Sequence, residues 1–139
     1  MSDPEGLLDT SAVLLLARIT DPDVLPVVPL ISAITLAELS VGPLVTDDPV
    51  ERAHRLAQVQ QAEAVFDPLP FDAAAARAFG RVASSLRRTG RKARARGLDA
   101  LIAAVAIANG LPLYTVDPAD FAGIDGLTIR AVPHPDHTG

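Results

Sequence analysis

Short runs of Leu, Val and Ile alternate along the chain with Ala-rich stretches of helical period, the order expected of an α/β domain built on a parallel sheet. The first strand is short, around Leu7 and Leu8, and Asp9-Thr10-Ser11 opens a helix to about Arg18. A loop holding Pro22, Pro26 and Pro29 leads to a second strand over 30–34, which ends at Thr35, and a helix continues to Gly42-Pro43. Another helix is expected from Asp48-Pro49 to Ala64, with Pro in its first turn, and 65–69 reads as a third strand. From Phe71 to Leu86 the period is helical: Phe79, Val82, Ala83 and Leu86 form one apolar stripe, while Arg77, Arg81 and Arg88 fall on another face. The helix expected over 99–109 is nearly all apolar, so it should be buried, and it stops at Gly110 with Pro112 behind it. A strand over 113–116, a turn or short helix at Asp117-Pro118 and a last strand near 127–132 complete the pattern. Residues 1–132 are expected to form one domain and 133–139 a flexible tail.

Composition narrows this picture. Apolar residues make up 49% of the 139, yet aromatics only 4%, so the core must be built from aliphatic side chains and alanine. The absence of cysteine excludes a disulfide scaffold, a thiolate metal site and a cysteine nucleophile. No apolar run approaches the ~20 residues of a membrane helix and the amino terminus is acidic, which makes a cytoplasmic protein the expectation. The net charge of −5 argues, as an average, against a nucleic-acid partner. The average conceals a segregation. Eight of the twelve Lys and Arg lie between Arg77 and Arg96, inside an acid-free stretch, and the rest of the chain sets four cations against 17 acids.

Four of those acids sit in apolar surroundings: Asp9, Glu38, Asp99 and Asp117. Each alone has a structural explanation, since Asp9 could cap a helix, Thr35 to Glu38 spells a capping box, Asp99 lies in a first helical turn and Asp117-Pro118 reads as a cap. Together they follow predicted strands or open the buried helix, and in a parallel sheet such junctions emerge at the carboxyl edge, where ligands bind. Carboxylates gathered there repel one another unless a divalent cation neutralises them, and oxygen-only donors suit Mg²⁺ or Mn²⁺. Such a centre can hold a phosphate oxygen and activate water for phosphodiester hydrolysis, with a further carboxylate orienting that water. His134 and His137 read as tail rather than ligands.

The stretches Leu7-Leu8-Asp9-Thr10-Ser11-Ala12, Ile34-Thr35-Leu36-Ala37-Glu38-Leu39, Asp99-Ala100-Leu101-Ile102-Ala103-Ala104 and Thr115-Val116-Asp117-Pro118-Ala119-Asp120-Phe121, in this order, resemble the PIN-domain ribonucleases, most closely the VapC-type toxins of toxin-antitoxin pairs. The resemblance implies an α/β/α sandwich with a central parallel sheet, Mg²⁺-dependent endoribonuclease activity, a homodimer, and inhibition by a small cognate antitoxin. It assigns Asp9 and Asp99 as metal ligands and Glu38 as the glutamate of the site. For the fourth acid it leaves Asp117 and Asp120 open, because Val116-Asp117 stands where many relatives carry Arg-Asn.

The basic segment precedes Asp99 directly, and Arg91, Arg94 and Arg96 are its candidate RNA contacts, arginine being matched to phosphate by its planar fork of donors. The competing reading is a solvated helix end, with Arg87 and Arg88 answering the helix dipole. Two other functions stand against the nuclease. A receiver-like signalling domain needs an acidic pair after the first strand and a Lys near the end, whereas Asp9 stands alone and Lys92 is the only lysine. A catalytically inert PIN-like module binding protein or RNA would have lost the acids that this chain keeps.

Overall fold

The computed structural model describes residues 2–90 and 97–137. Its strands are β1 (Glu5–Leu8), β2 (Val28–Leu30), β3 (Leu113–Thr115) and β4 (Ile129–Ala131), and its helices are α1 (Thr10–Leu15), α2 (Ala33–Val41), α3 (Pro49–Val65), α4 (Ala73–Arg88) and α5 (Gly97–Ala108). All strand pairs are parallel, in the order β2-β1-β3-β4, so that Leu7 stands between Leu30 and Leu113. Because β1 is continued on one side by β2 and on the other by β3, the chain changes direction between β1 and β3. That crevice is the topological switch point of an open parallel sheet.

Two apolar layers sandwich the sheet. On one face α4 and α5 pack together over Leu7, Leu113 and Phe121. On the other, Leu8, Ile31 and Tyr114 meet Ala12 of α1, Leu39 of α2 and Val59 and Ala62 of α3. The alternation of Leu7 and Leu8 between the two clusters is the period-2 geometry of a strand buried on both faces. Helix α5 is apolar because it is enclosed, with Ile102, Ala103, Ala104 and Val105 all fully buried. It ends in Gly110 at φ +64°, the left-handed position that closes a helix, where Leu111 N–H reaches back to Ala106 O at 2.9 Å. No helix among the described residues is long and apolar enough to cross a membrane.

Three expectations are corrected. Residues 65–69 form no strand: α3 runs to Val65, and only Leu69 makes a lone parallel bridge to Ser32, because Pro68 and Pro70 on either side of it cannot donate to a ladder. The second strand ends earlier than its apolar pattern suggests, since Ser32 caps α2 by accepting from Thr35 N–H at 3.2 Å. Thr35 and Glu38 are therefore interior helical residues and form no capping box. Pro135–His137 makes a 3-10 turn, and Asp136 forms an ion pair with Arg18.

At the amino edge of the sheet, Asp3 accepts hydrogen bonds from Tyr114 Oη at 2.5 Å and Arg130 Nε at 3.0 Å. These bonds, Arg130's foremost, hold the Asp3 carboxyl below the usual carboxylate range. The folded chain thus releases this proton more readily than the unfolded chain, so the stabilisation is complete above about pH 4 and is lost as pH falls through the depressed folded value. Urea unfolding should show a stability gap between parent and Asp3→Asn that is constant from pH 5 to 8 and narrows below pH 4. A gap that widens on acidification would reverse this assignment.

Candidate active site

Asp9 is the first residue beyond β1, and the register of the sheet sets it beside the end of β3, its N–H bonded to Tyr114 O at 3.0 Å. It caps α1 through Oδ1, which accepts from Ala12 N–H at 2.9 Å and Ser11 Oγ at 2.7 Å. Oδ2 accepts from Thr115 Oγ1 at 2.6 Å. Three hydrogen bonds thus occupy three of the roughly four acceptor positions of a carboxylate, leaving one on Oδ2. The residue is 4% exposed and has no ion pair among the described residues. Burial pushes its pKa upward, the hydrogen bonds pull it back, and the charge of Asp117 adds to the rise.

Thr115 and Ser11 make this more than a cap. Thr115 Oγ1 donates to Asp9 and accepts from Asp117 N–H at 2.9 Å, while Ser11 Oγ donates to Asp9 and accepts from Val116 N–H at 3.4 Å. The two hydroxyls are therefore relays that tie the backbone leaving β3 to the carboxylate leaving β1. They fix where Asp117 stands, exposed and at the head of the 3-10 turn Pro118–Phe121. Thr115→Val keeps the shape and removes the hydroxyl. It should cost about 1–3 kcal/mol by leaving Asp9 Oδ2 and Asp117 N–H unanswered, read as a lower midpoint in urea. Stability equal to the parent's would mean that water replaces the relay.

Glu38 comes from the middle of α2, half-buried, and accepts from Thr10 Oγ1 at 2.7 Å. Thr10 Oγ1 is also 3.1 Å from Thr35 Oγ1, so α1 and α2 are joined by a hydroxyl pair that aims the glutamate. Beside it opens a cleft of about 450 Å³ whose wall includes Thr10, Leu14, Glu38 and His54. Asp99 lies half-buried in the first turn of α5, which packs against α2. Asp120 is half-buried in the 3-10 turn, its N–H bonded to Asp117 O at 3.0 Å. Arg91, Arg94 and Arg96 lie outside the described residues.

Of the acids singled out from the sequence, Asp9 and Asp117 are brought within electrostatic reach, and Glu38 and Asp99 are mounted on the neighbouring helices α2 and α5. No three His, Asp or Glu side chains among the described residues converge into a ready cage for a metal ion. Mg²⁺ does not need one, since it keeps several waters and is held by one or two carboxylates together with substrate phosphate. A buried Asp9 carrying an unused lone pair and no cationic partner fits that requirement, as does an oxygen-only donor set. The residues that the sequence reading missed are Thr10, Ser11 and Thr115. Their signal was present, since each is a hydroxyl residue within two positions of a carboxylate that follows a strand.

The PIN domain family model matches residues 7–127. The chain also aligns with ribonuclease VapC5 of Mycobacterium tuberculosis at 39% identity over 123 residues, 87% of this chain and 88% of that protein. The chain belongs to the VapC ribonuclease family of PIN domains. Ribonuclease VapC4 of the same organism is 34% identical over 102 residues, covering 73% of this chain and 75% of that one. Among solved structures, a member of the VapBC family of toxin-antitoxin systems, VapBC-5 from Mycobacterium tuberculosis, superposes with a TM-score of 0.77 at 34% identity, over 93% of this chain and 99% of the other. As a VapC-family PIN domain the chain has the expected single α/β fold, a four-stranded parallel sheet flanked by helices, and 7–127 spans Asp9, Glu38, Asp99, Asp117 and Asp120.

Proposed function

We propose that the chain is the Mg²⁺-dependent endoribonuclease of a toxin-antitoxin pair and that it hydrolyses RNA phosphodiester bonds at the crevice between β1 and β3. The observation that carries this reading is Asp9, a buried carboxylate at the switch point with hydrogen-bond donors on one side, an open lone pair on Oδ2, and Asp117 as its charged neighbour. Asp9, Asp99 and Asp117 would hold the ion, and Mg²⁺ or Mn²⁺ when bound supplies Lewis acidity toward phosphate and attacking water. Glu38, steered by Thr10, orients that water and takes its proton. The water oxygen forms the new bond to phosphorus, the ester bond to the leaving ribose oxygen breaks, and that oxygen takes a proton from solvent water, while Glu38 returns its own to solvent. Asp117 takes the fourth position rather than Asp120, because its charge acts on Asp9 and its backbone is bonded to Thr115, Asp9's own donor.

A small cognate antitoxin and a second copy of the chain are the proposed partners. The cleft beside Glu38 has an exposed Leu14 on its wall, and Val41 and Leu44, which flank Gly42 of the same cleft in the chain, are exposed as well. An apolar ledge at the rim of the acids suits a protein that silences the site by covering it.

Purified chain freed of any antitoxin should cleave RNA with Mg²⁺, stop on addition of EDTA, and leave linear phosphomonoester ends. Ends bearing 2′,3′-cyclic phosphate would mean attack by the ribose hydroxyl and would overturn the water mechanism. Growth arrest on expression, relieved by the small protein encoded beside the gene, is the expected cellular result.

A further inference from the structure

We propose that the flank of α4 carrying Arg77, Arg81 and Arg88 is a phosphate track that binds the RNA backbone away from the acids. This rests on the ribonuclease reading above and extends it to how the substrate is held.

Arg77, Arg81, Ser84 and Arg88 recur at four, three and four residues and so share one stripe of the helix. Arg81 stands about 6 Å along the axis from Arg77, and Arg88 about 10 Å beyond Arg81. The stripe is separate from the buried one of Ala75, Ala78, Val82 and Leu86, so packing does not account for it. Neither do ion pairs. Arg77 and Arg81 have none among the described residues, and no acid occurs between 73 and 98 to provide one along the helix. The helix dipole explains Arg87 and Arg88, which lie in the last turn, but not Arg77 and Arg81.

Beside the stripe runs an open groove of about 440 Å³ between α4 and the turn at Asp125-Gly126, walled by Arg81, Ser84 and Arg88. Arg88 is held there by Asp125 and by Ser85 Oγ at 3.3 Å. Gly80 forms part of the same groove. In mid-helix a glycine lowers stability relative to alanine, yet a Cβ at Gly80 would meet nothing within 4 Å and its φ is not in the left-handed region. No packing or backbone requirement among the described residues asks for it. Its missing side chain leaves the helix backbone open to a ligand in the groove that Arg81 and Ser84 also wall.

The track also points the right way. Helix α4 begins four residues after Leu69, which is bridged to Ser32 just past the carboxyl end of β2. It ends where Arg88 meets Asp125, shortly before β4 starts at the opposite edge. Arg77 therefore lies toward the edge that bears Asp9 and Asp117, and Arg88 toward the far one. Outside residues 77–96 the chain sets four cations against 17 acids, so a polyanion is steered to the part of the chain that carries this flank, which holds it by phosphate contacts without base recognition.

The test uses the full chain carrying Asp9→Asn, so that binding is read without cleavage, and a fluorescent single-stranded RNA of about 25 nucleotides titrated over a salt series. The double variant Arg77→Gln/Arg81→Gln should weaken binding on the order of tenfold at about 0.1 M salt and flatten the salt slope by about 1.4, at ~0.7 per lost contact. Gly80→Leu, which adds volume to an open position of a helix, should melt no lower than the parent and also weaken binding, with no charge removed. With Asp9 intact, the arginine variant should raise KM for long RNA and leave kcat unchanged. An unchanged salt slope overturns the track, and so does a loss of binding to poly-glutamate with RNA binding intact, which would make the flank a protein-docking surface. If the chain with Asp9 intact cuts no RNA while the salt slope still depends on Arg77 and Arg81, the nuclease reading fails and the track stands.

Discussion

Asp9→Asn should lower the rate of RNA cleavage by about three orders of magnitude or more and leave the fold as stable as the parent's, or more so. The first half follows from the proposed role of Asp9 as an anionic metal ligand at the switch point, because metal-borne charge stabilisation is worth several kcal/mol and each ~1.4 kcal/mol is tenfold in rate. The second half follows from burial. Asp9 is 4% exposed with no ion-pair partner among the described residues, and its pKa is raised by that burial, so ionised Asp9 carries a desolvation cost that an amide does not. Asparagine Oδ1 can keep the bonds from Ala12 N–H and Ser11, and its amide can donate to Thr115 Oγ1, which has a lone pair to give. The decisive measurement pairs a cleavage assay with a thermal melt taken with and without Mg²⁺. Parent Tm should rise with Mg²⁺ through binding linkage, and the variant's should not. Retained cleavage, or an equal Mg²⁺ shift in the variant, would remove Asp9 from the metal site. A Tm well below the parent's would mark it as a structural cap.

Phe121→Ala is the substitution with the largest expected effect on stability. The ring is 1% exposed and packs among α4, α5 and the sheet, at the end of the 3-10 turn that Asp117 begins. Removing a buried phenyl ring costs about 3–5 kcal/mol, which for a domain of this size lowers Tm on the order of 10 °C or more. The consequence should extend to chemistry, because the ring anchors the turn from which Asp117 projects. Assayed at 15 °C, where the variant is still folded, cleavage should fall several-fold with KM little changed. A large drop in Tm with undiminished kcat at that temperature would show that Thr115, through its bond to Asp117 N–H, holds the acid by itself.

Why the acids were legible in the sequence while their coupling was not is clear from particular residues. Asp9 and Asp117 stood out because a carboxylate directly after an apolar strand is costly to bury, and that argument needs only the chain. Helix α5 was legible for the same reason, since twelve nearly all-apolar residues have to be enclosed. The hydroxyls were not legible, because Ser11 and Thr115 are ordinary residues at a helix start and a strand end until β1 and β3 are seen to be neighbours. The Thr35–Glu38 box failed because a capping box and an interior helical Thr–Glu pair have the same spacing, and only the position of Ser32 distinguishes them. The strand expected at 65–69 is absent because Pro68 and Pro70 leave only Leu69 of that stretch to bridge Ser32.

The basic stripe shows the same division. Its charge could be counted from the sequence, but whether those arginines answered acids elsewhere depended on contacts that only the fold creates. Arg88 finds Asp125, 37 residues away, whereas Arg77 and Arg81 find no ion-pair partner among the described residues. The sequence by itself determined the class of fold, the family and which acids are candidates for the site, because periodicity, burial cost and local motifs act over a few residues. The tertiary structure alone decided which acid sits beside which, which hydroxyls aim them, and which cations, among the described residues, remain without a neighbour of opposite charge. Electrostatic and hydrogen-bond energies depend on distances through space, and strand order in a parallel sheet sets those distances without leaving a mark in the local sequence.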